Sequence, residues 1–236
     1  MVKNAIILAA GQGSRLRSVG ITIPKCLLEV GDQTILERTL DGLEKVAVGQ
    51  VRVTIVVGYE AVQIMNWIGN HWGDISIEYI VNQNYKSTNN IYSLWLAREE
   101  LSKGPLIVES DIVTDPEIFN IININRSNWW GVKDWTEEMD GFFLRGHPIK
   151  EIKIIRESID LDGYKSCGIL KFCPEGGKQL AEWLDREIKQ NNTGIYYDQA
   201  IAEHLSEIKI NPYWHGKRWI EIDTPKDLKK AREIFE

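Results

Sequence analysis

The chain has 236 residues, 43% of them apolar and 26% charged, and a formal charge of −6. That length suffices for one α/β domain with a sizeable core, and the composition is too apolar for intrinsic disorder. The negative charge and the scatter of basic residues exclude a protein built to hold nucleic acid or an anionic membrane, so a polyanionic ligand must find its cations locally, in one cleft.

Apolar runs alternate along the chain with segments of helical period. Candidate strands cover residues 5–9, 51–57, 75–80, 105–108, 128–132, 141–144, 149–155, 165–172, 208–212 and 218–222. Candidate helices cover 35–46, 61–71, 91–101, 116–123, 177–190, 198–205 and 225–235. The first half repeats β-α units and predicts a parallel sheet with helices on both faces. Residues 126–172 are strand-rich and predict an antiparallel addition. With no linker, repeat or low-complexity stretch, the expected organisation is a single domain over 1–236 carrying an insert at roughly 126–172. The opening run 5–9 is short and meets Gly11-Gln12-Gly13 at once, which reads as a buried strand rather than a secretion signal. No apolar run nears the roughly 20 residues that span a bilayer. Cys26, Cys167 and Cys173 are odd in number and form no CxxC, the pattern of reduced thiols in a cytoplasmic protein. No Gly-x-Ser-x-Gly elbow and no histidine spacing suited to zinc occurs.

In open parallel sheets, ligands bind outside the carboxyl ends of the strands. After the first strand comes Leu8-Ala9-Ala10-Gly11-Gln12-Gly13-Ser14-Arg15-Leu16-Arg17. Two glycines let the backbone turn tightly and aim N–H groups at phosphate oxygens, and Arg15 and Arg17 add positive charge. Taken alone this is a phosphate loop or a plain glycine turn. In Pro24-Lys25-Cys26-Leu27-Leu28-Glu29-Val30, Lys25 is either a solvated surface cation or one that reaches back to the loop.

Asp111 follows an apolar strand, and Asp115 before Pro116 already stands as the cap of the next helix. Asp223 follows another strand, and Thr224-Pro225 with Asp227 makes the helix start there. Both acids are left without a capping job. Two such carboxylates facing a phosphate loop suit an octahedral Mg²⁺ shared with phosphate oxygens; the plain alternative is two exposed loop acids.

The combination LAAGxGxR over 8–15 with PKxLLxV over 24–30 resembles the signature of nucleotidyltransferases that act on sugar phosphates and related phospho-metabolites. The resemblance implies a Rossmann-like three-layer α/β sandwich with a mixed, mainly parallel sheet and a small strand-rich insert on the acceptor side. It also implies that Leu8, Ala10, Gly11, Gly13, Ser14 and Arg15 hold the nucleotide and that Lys25 contacts the attacked α-phosphate. Arg15 then supports the leaving pyrophosphate, and Asp111 and Asp223 bind Mg²⁺.

The stretch Asn82-Gln83-Asn84-Tyr85-Lys86-Ser87-Thr88-Asn89-Asn90-Ile91-Tyr92-Ser93-Leu94 departs from the sugar-phosphate pattern. It is similar to the branch of phosphocholine and 2-aminoethylphosphonate cytidylyltransferases, as is Tyr196-Tyr197-Asp198 near the end of the chain. That branch implies CTP as donor, Asn82, Thr88 and Asn89 beside the nucleotide, and Asn90, Tyr196, Tyr197 and Asp198 toward the acceptor. Thr88, Asn89 and Asn90 equally suit helix capping.

For the acceptor's amine two readings stand. A trimethylammonium group needs an aromatic box, which Trp129, Trp130, Trp135, Tyr196 and Tyr197 can supply. A primary ammonium prefers carboxylates, and Glu137, Glu138 and Asp140 offer three. The expected activity is therefore CMP transfer from CTP to phosphocholine, 2-aminoethylphosphonate or a similar amine, with Mg²⁺ as cofactor and a homodimer left open. A sugar-1-phosphate nucleotidyltransferase, a metal-dependent glycosyltransferase and a nucleotide sensor without catalysis are the rivals.

Overall fold

The structure, a computed structural model, describes residues 3–214 and 216–236. Its strands are β1 (Lys3–Ala9), β2 (Glu29–Val30), β3 (Gln33–Thr34), β4 (Val51–Val57), β5 (His71–Trp72), β6 (Ile75–Val81) and β7 (Leu106–Glu109). There follow β8 (Ile112–Thr114), β9 (Asn128–Asp134), β10 (Gly141–Arg145), β11 (Glu151–Ile155), β12 (Tyr164–Lys171), β13 (Ile210–Trp214) and β14 (Trp219–Glu221). The helices are α1 (Ser14–Arg17), α2 (Ile35–Val46), α3 (Ala61–Ile68), α4 (Asn90–Leu96), α5 (Arg98–Leu101), α6 (Pro174–Lys189), α7 (Tyr197–Glu203) and α8 (Pro225–Phe235). Two 3-10 helices, Lys25–Leu27 and Pro116–Asn123, complete the set.

The main sheet runs β11-β10-β12-β7-β1-β4-β6-β5, with β9 beside β12 and β13 beside β9. Strands β7, β1, β4 and β6 are mutually parallel, as the β-α repeats predict. At β12 the sheet turns antiparallel, and β9, β10 and β11 continue that way. β13 returns from the last third of the chain to lie parallel to β9.

β1 is a near-continuous apolar run because both its faces are covered. Ala5, Ile7 and Ala9 join a core with α2, α3 and residues 118–122. Ile6 and Leu8, pointing the other way, join a core with α4, α6 and α7. A third, smaller cluster joins Leu16, Leu28, Val113, Ile220 and Leu228, and so ties the glycine loop and the Lys25 segment to the β8–β14 ladder and α8. Leu16 is 2% exposed, and burying such a side chain contributes about 2 kcal/mol.

Caps fix the helix starts. Thr34 with Glu37 and Thr224 with Asp227 each form a capping box. Asp115 differs from its sequence reading. It stands at the head of the 116–123 helix but makes no capping bond; its carboxylate pairs with Arg218 at 2.7 Å instead. The expected helix over 91–101 breaks at Ala97 (φ −92°, ψ 13°) into α4 and α5. Among the described residues, no helix is long and apolar enough to cross a membrane.

Candidate active site

A cleft of about 360 Å³ opens at the carboxyl ends of β1 and β7. Gly13 has φ +60°, a left-handed conformation that glycine takes without strain, and it heads α1. A Cβ on Gly13 would stand 3.1 Å from Lys25 Cγ, so the glycine also makes room for the lysine stem. The N–H groups of Gly11, Gln12 and Gly13 have no backbone partner among the described residues, which suits them to phosphate oxygens.

Pro24 starts the short 3-10 helix from which Lys25 reaches into the cleft. Its Nζ donates to Asp111 Oδ2 at 3.0 Å and to Asp223 Oδ1 at 2.5 Å. Arg15 approaches Asp223 Oδ2 at 2.8 Å from the solvent side. The two acids meet because β14 pairs antiparallel with β8, and Ile222 N–H donates to the Asp111 carbonyl at 2.8 Å. Burial opposes the charge on Lys25, yet the two carboxylates outweigh it and hold the ammonium well above the usual lysine range. Burial likewise pushes Asp223 up, but Lys25 and Arg15 hold it below the usual carboxylate range. Asp111 Oδ1 is buried without a hydrogen-bond partner.

The donor set therefore fits a hard cation: two carboxylates already share one positive charge, and an orphaned oxygen lies beside it. A second acidic group adjoins it. Glu109, Asp111 and Glu221 offer oxygens within 4.8 Å of one another, an arrangement that can hold a metal ion.

The inner wall is polar and buried. β12 is irregular between Ser166 and Leu170, and there Gly168 lies against the Glu109 side chain. Glu109 Oε1 accepts from Asn90 Nδ2 at 3.2 Å and from the Tyr197 hydroxyl at 2.9 Å. Asn90 Oδ1 in turn accepts from the Tyr197 N–H at 3.1 Å. Burial, with Asp198 and Asp111 nearby, pushes the Glu109 carboxyl well above its ordinary range. Asp198 is 2% exposed, its Oδ2 has no partner, and burial pushes its carboxyl up to about 7. Lys165 donates to Glu221 Oε2 at 2.9 Å.

Of the residues singled out by sequence, the cleft gathers Leu8, Ala10, Gly11, Gly13, Ser14, Arg15, Lys25, Asn82, Thr88, Asn89, Asn90, Asp111, Asp140, Tyr196, Asp198 and Asp223. Tyr197 stands behind them through its hydroxyl on Glu109. Trp135 and Glu138 are not among them. The Trp135 ring packs edge-on against Phe143, with its N–H on the Ile159 carbonyl, and Glu138 is exposed on the 136–139 turn.

Asn82 and Thr88 are spent on local structure. Asn82 Nδ2 donates to Thr88 Oγ1 and Ser93 Oγ, its Oδ1 accepts from Asn84 N–H, and Thr88 donates to the Asn84 carbonyl. Sequence reasoning assigned no role to Glu109, Arg156, Lys165 or Glu221. The signal for three of them was a charged residue inside an apolar strand, as in Tyr164-Lys165-Ser166-Cys167-Gly168-Ile169. Such a charge is rarely buried without a partner.

An open α/β sheet, a glycine loop, and a lysine held between two strand-end aspartates make a centre suited to a polyphosphate ligand. Residues 5–117 match the MobA-like NTP transferase domain. The chain is 26% identical over 235 residues to a choline-phosphate cytidylyltransferase of Streptococcus pneumoniae, covering 98% of this chain and 97% of the relative. It is 28% identical to a 2-aminoethylphosphonate cytidylyltransferase of Lancefieldella rimae, covering 95% and 90%. It is 31% identical over 253 residues to a CTP:phosphoglutamine cytidylyltransferase of Campylobacter jejuni, covering 95% and 97%. The solved CTP:phosphocholine cytidylyltransferase of Streptococcus pneumoniae superposes with a TM-score of 0.83 at 23% identity, over 100% of this chain and 99% of that one, and so shares its fold. The chain belongs to the nucleotidyltransferase family and is an enzyme of that class.

Proposed function

We propose that the enzyme transfers CMP from CTP to a small phospho- or phosphonoalkylamine and releases pyrophosphate. One observation carries this reading: the cleft joins a phosphate-type centre at Lys25 to a buried wall of acids and tyrosines suited to an amine. The activities of the related cytidylyltransferases support CTP as donor and an amine-bearing acceptor.

The acceptor's phosph(on)ate oxygen attacks the α-phosphorus in line, and the bond from that phosphorus to the bridging oxygen of pyrophosphate breaks. A phosphate's second pKa is about 6, so the nucleophile is already ionised at neutral pH and no general base is required. Bringing two polyanions together is the difficulty. Lys25 supplies positive charge at the attacked phosphate, while Arg15 and the Gly11–Gly13 amides hold the departing pyrophosphate. Asp111 and Asp223 are the residues to hold Mg²⁺, with Glu109 and Glu221 in reach of Asp111. When bound, Mg²⁺ neutralises phosphate charge and polarises the α-phosphate.

At the other end, Asp198 and Asp140 receive the amine, and Tyr196, packed edge-on against Phe142 with ring centroids 5.4 Å apart, covers it. Asn90 and Tyr197 orient Glu109 on the same wall. The chain works as one nucleotidyltransferase domain over 1–236, with residues 126–172 building the acceptor side.

Pyrophosphate release with four NTPs against phosphocholine, 2-aminoethylphosphonate and glucose-1-phosphate tests the reading. It expects CTP with an amine; preference for glucose-1-phosphate would overturn it.

A further inference from the structure

Four acids, Glu109, Asp140, Asp198 and Glu221, line the acceptor end of the cleft. Glu109 and Glu221, with Asp111, bring oxygens within 4.8 Å of one another, a spacing that a divalent cation can bridge. Asp198 is 2% exposed, its Oδ2 has no partner, and it lies in the field of both Glu221 and Lys165. Such oxygens suit Mg²⁺ or Ca²⁺ as well as they suit an amine. An enzyme that takes Mg²⁺ at Asp111 and Asp223 exposes this wall to the same ion, and the acids alone give no preference for the amine.

Lys165 stands among them. Its Nζ donates to Glu221 Oε2 at 2.9 Å, faces Asp140 and Glu109, and lies 5.9 Å from the centre of the Trp219 ring. The side chain is 8% exposed, so water screens its charge little. Burial opposes that charge, but Glu221, Asp140 and Glu109 outweigh it and keep the ammonium above the usual lysine range. The backbone makes room for it: Gly141 has φ +99°, and a Cβ there would collide with the Nζ. A buried ion pair is often no more stabilising than apolar packing of the same volume, so stability alone does not explain this one.

An ammonium fixed on Glu221 takes that oxygen away from any metal. It also repels a dication twice as strongly as a singly charged amine at the same distance. Asp198 Oδ2 is left open. Building on the reading of the protein as a cytidylyltransferase for phospho- or phosphonoalkylamines, we infer that Lys165 determines specificity as an internal counter-ion, keeping divalent cations off the Glu109–Asp111–Glu221 group and reserving the acceptor end of the cleft for a monovalent ammonium. It acts through the acids it occupies, without touching the reacting atoms.

The test reads metal binding apart from turnover. Mn²⁺ binding to the nucleotide-free protein is followed through the EPR signal of the free ion, for the wild type, Lys165→Met and the double variant Lys165→Met with Glu221→Gln. Lys165→Met should bind about one more Mn²⁺ per chain than the wild type, and the double variant should lose that gain, which assigns the ion to Glu221 rather than to Asp223. In pyrophosphate release with CTP and 2-aminoethylphosphonate, the acceptor KM of Lys165→Met should rise about tenfold once free Mg²⁺ reaches about ten times its dissociation constant, whereas the wild-type KM stays flat. No added Mn²⁺ in Lys165→Met, or a gain that survives in the double variant, overturns the inference and leaves cytidylyl transfer standing. A gain of Mn²⁺ in an enzyme that uses no amine acceptor supports the exclusion of metal by Lys165 and overturns the functional reading. If Lys165→Met does not fold, Glu221→Gln alone decides: with Lys165 in place no metal sits on Glu221, so the Mn²⁺ bound should equal that of the wild type, and a lost ion overturns the inference.

Discussion

Replacing Lys25 with methionine removes the ammonium that bridges Asp111 and Asp223 at 3.0 and 2.5 Å. Two carboxylates then face each other with only the exposed Arg15 guanidinium, 2.8 Å from Asp223 Oδ2, left as a cation. The three side chains are 17%, 19% and 23% exposed, between the fully buried and the surface cases. Breaking a buried pair costs about 3–5 kcal/mol and an exposed one under about 1, so the loss here is about 2 kcal/mol. For a chain of this size that lowers Tm by about 4–8 °C. The folded-state pKa of Lys25 is raised, so its stabilisation is fully present at neutral pH and is lost only as pH rises past the ordinary lysine range. The deficit should therefore be equal at pH 6 and pH 8. Excess Mg²⁺ should restore Tm more in Lys25→Met than in the wild type, because the variant's carboxylates are no longer occupied by the lysine. Scanning calorimetry with EDTA and then with Mg²⁺ reads both effects. An unchanged Tm in EDTA, or an equal response to Mg²⁺, would refute the reasoning. Turnover should fall by about 10²–10³, the scale of losing one charge at a transition state.

Asp111→Asn and Asp223→Asn should each abolish turnover at ordinary Mg²⁺ and regain part of it with excess Mn²⁺; steady-state rates across a metal titration check this. For Asp198, burial sets a folded pKa of about 7, well above the unfolded value, so ionisation costs stability as pH rises from about 4 to 7. Asp198→Asn escapes that cost: its Tm relative to the wild type should be higher at pH 8 than at pH 4. The acceptor KM of the wild type should fall as pH rises through about 7, whereas that of Asp198→Asn stays high and flat. Tyr197→Phe removes the 2.9 Å donor from a fully buried tyrosine to the half-buried Glu109 and should cost about 1–3 kcal/mol, read as a lower urea midpoint at constant m-value.

The parallel half of the sheet was legible because strands covered on both faces leave short apolar runs, as in residues 5–9 of β1 and 55–57 of β4. Strands of two or three residues, β2, β3, β5 and β8, carry no period and escape such reading. The break at Ala97 was hidden for another reason: nothing in Leu94-Trp95-Leu96-Ala97-Arg98 disfavours helix locally. At the cleft, Asp111 and Asp223 stood out as acids left over once each helix start had its cap, although Asp115 proved to serve Arg218 rather than its helix. That Lys25 lies between the two acids was not legible, since the contact depends on the β8–β14 ladder. Lys165 and Glu221 were masked by the apolar strands around them. Residues of the polar stretch over 82–94 line the cleft, yet much of its polarity is consumed by its own turns, as the Asn82 amide shows.

The most direct test of cytidylyl transfer follows both products in one tube. ³¹P NMR of enzyme, CTP, Mg²⁺ and a phosphonoalkylamine should show pyrophosphate and a CMP-linked phosphonate anhydride growing in equal amounts, with both signals absent when EDTA is present. Pyrophosphate accompanied by free CMP, or a linked product formed equally well in EDTA, would contradict the account.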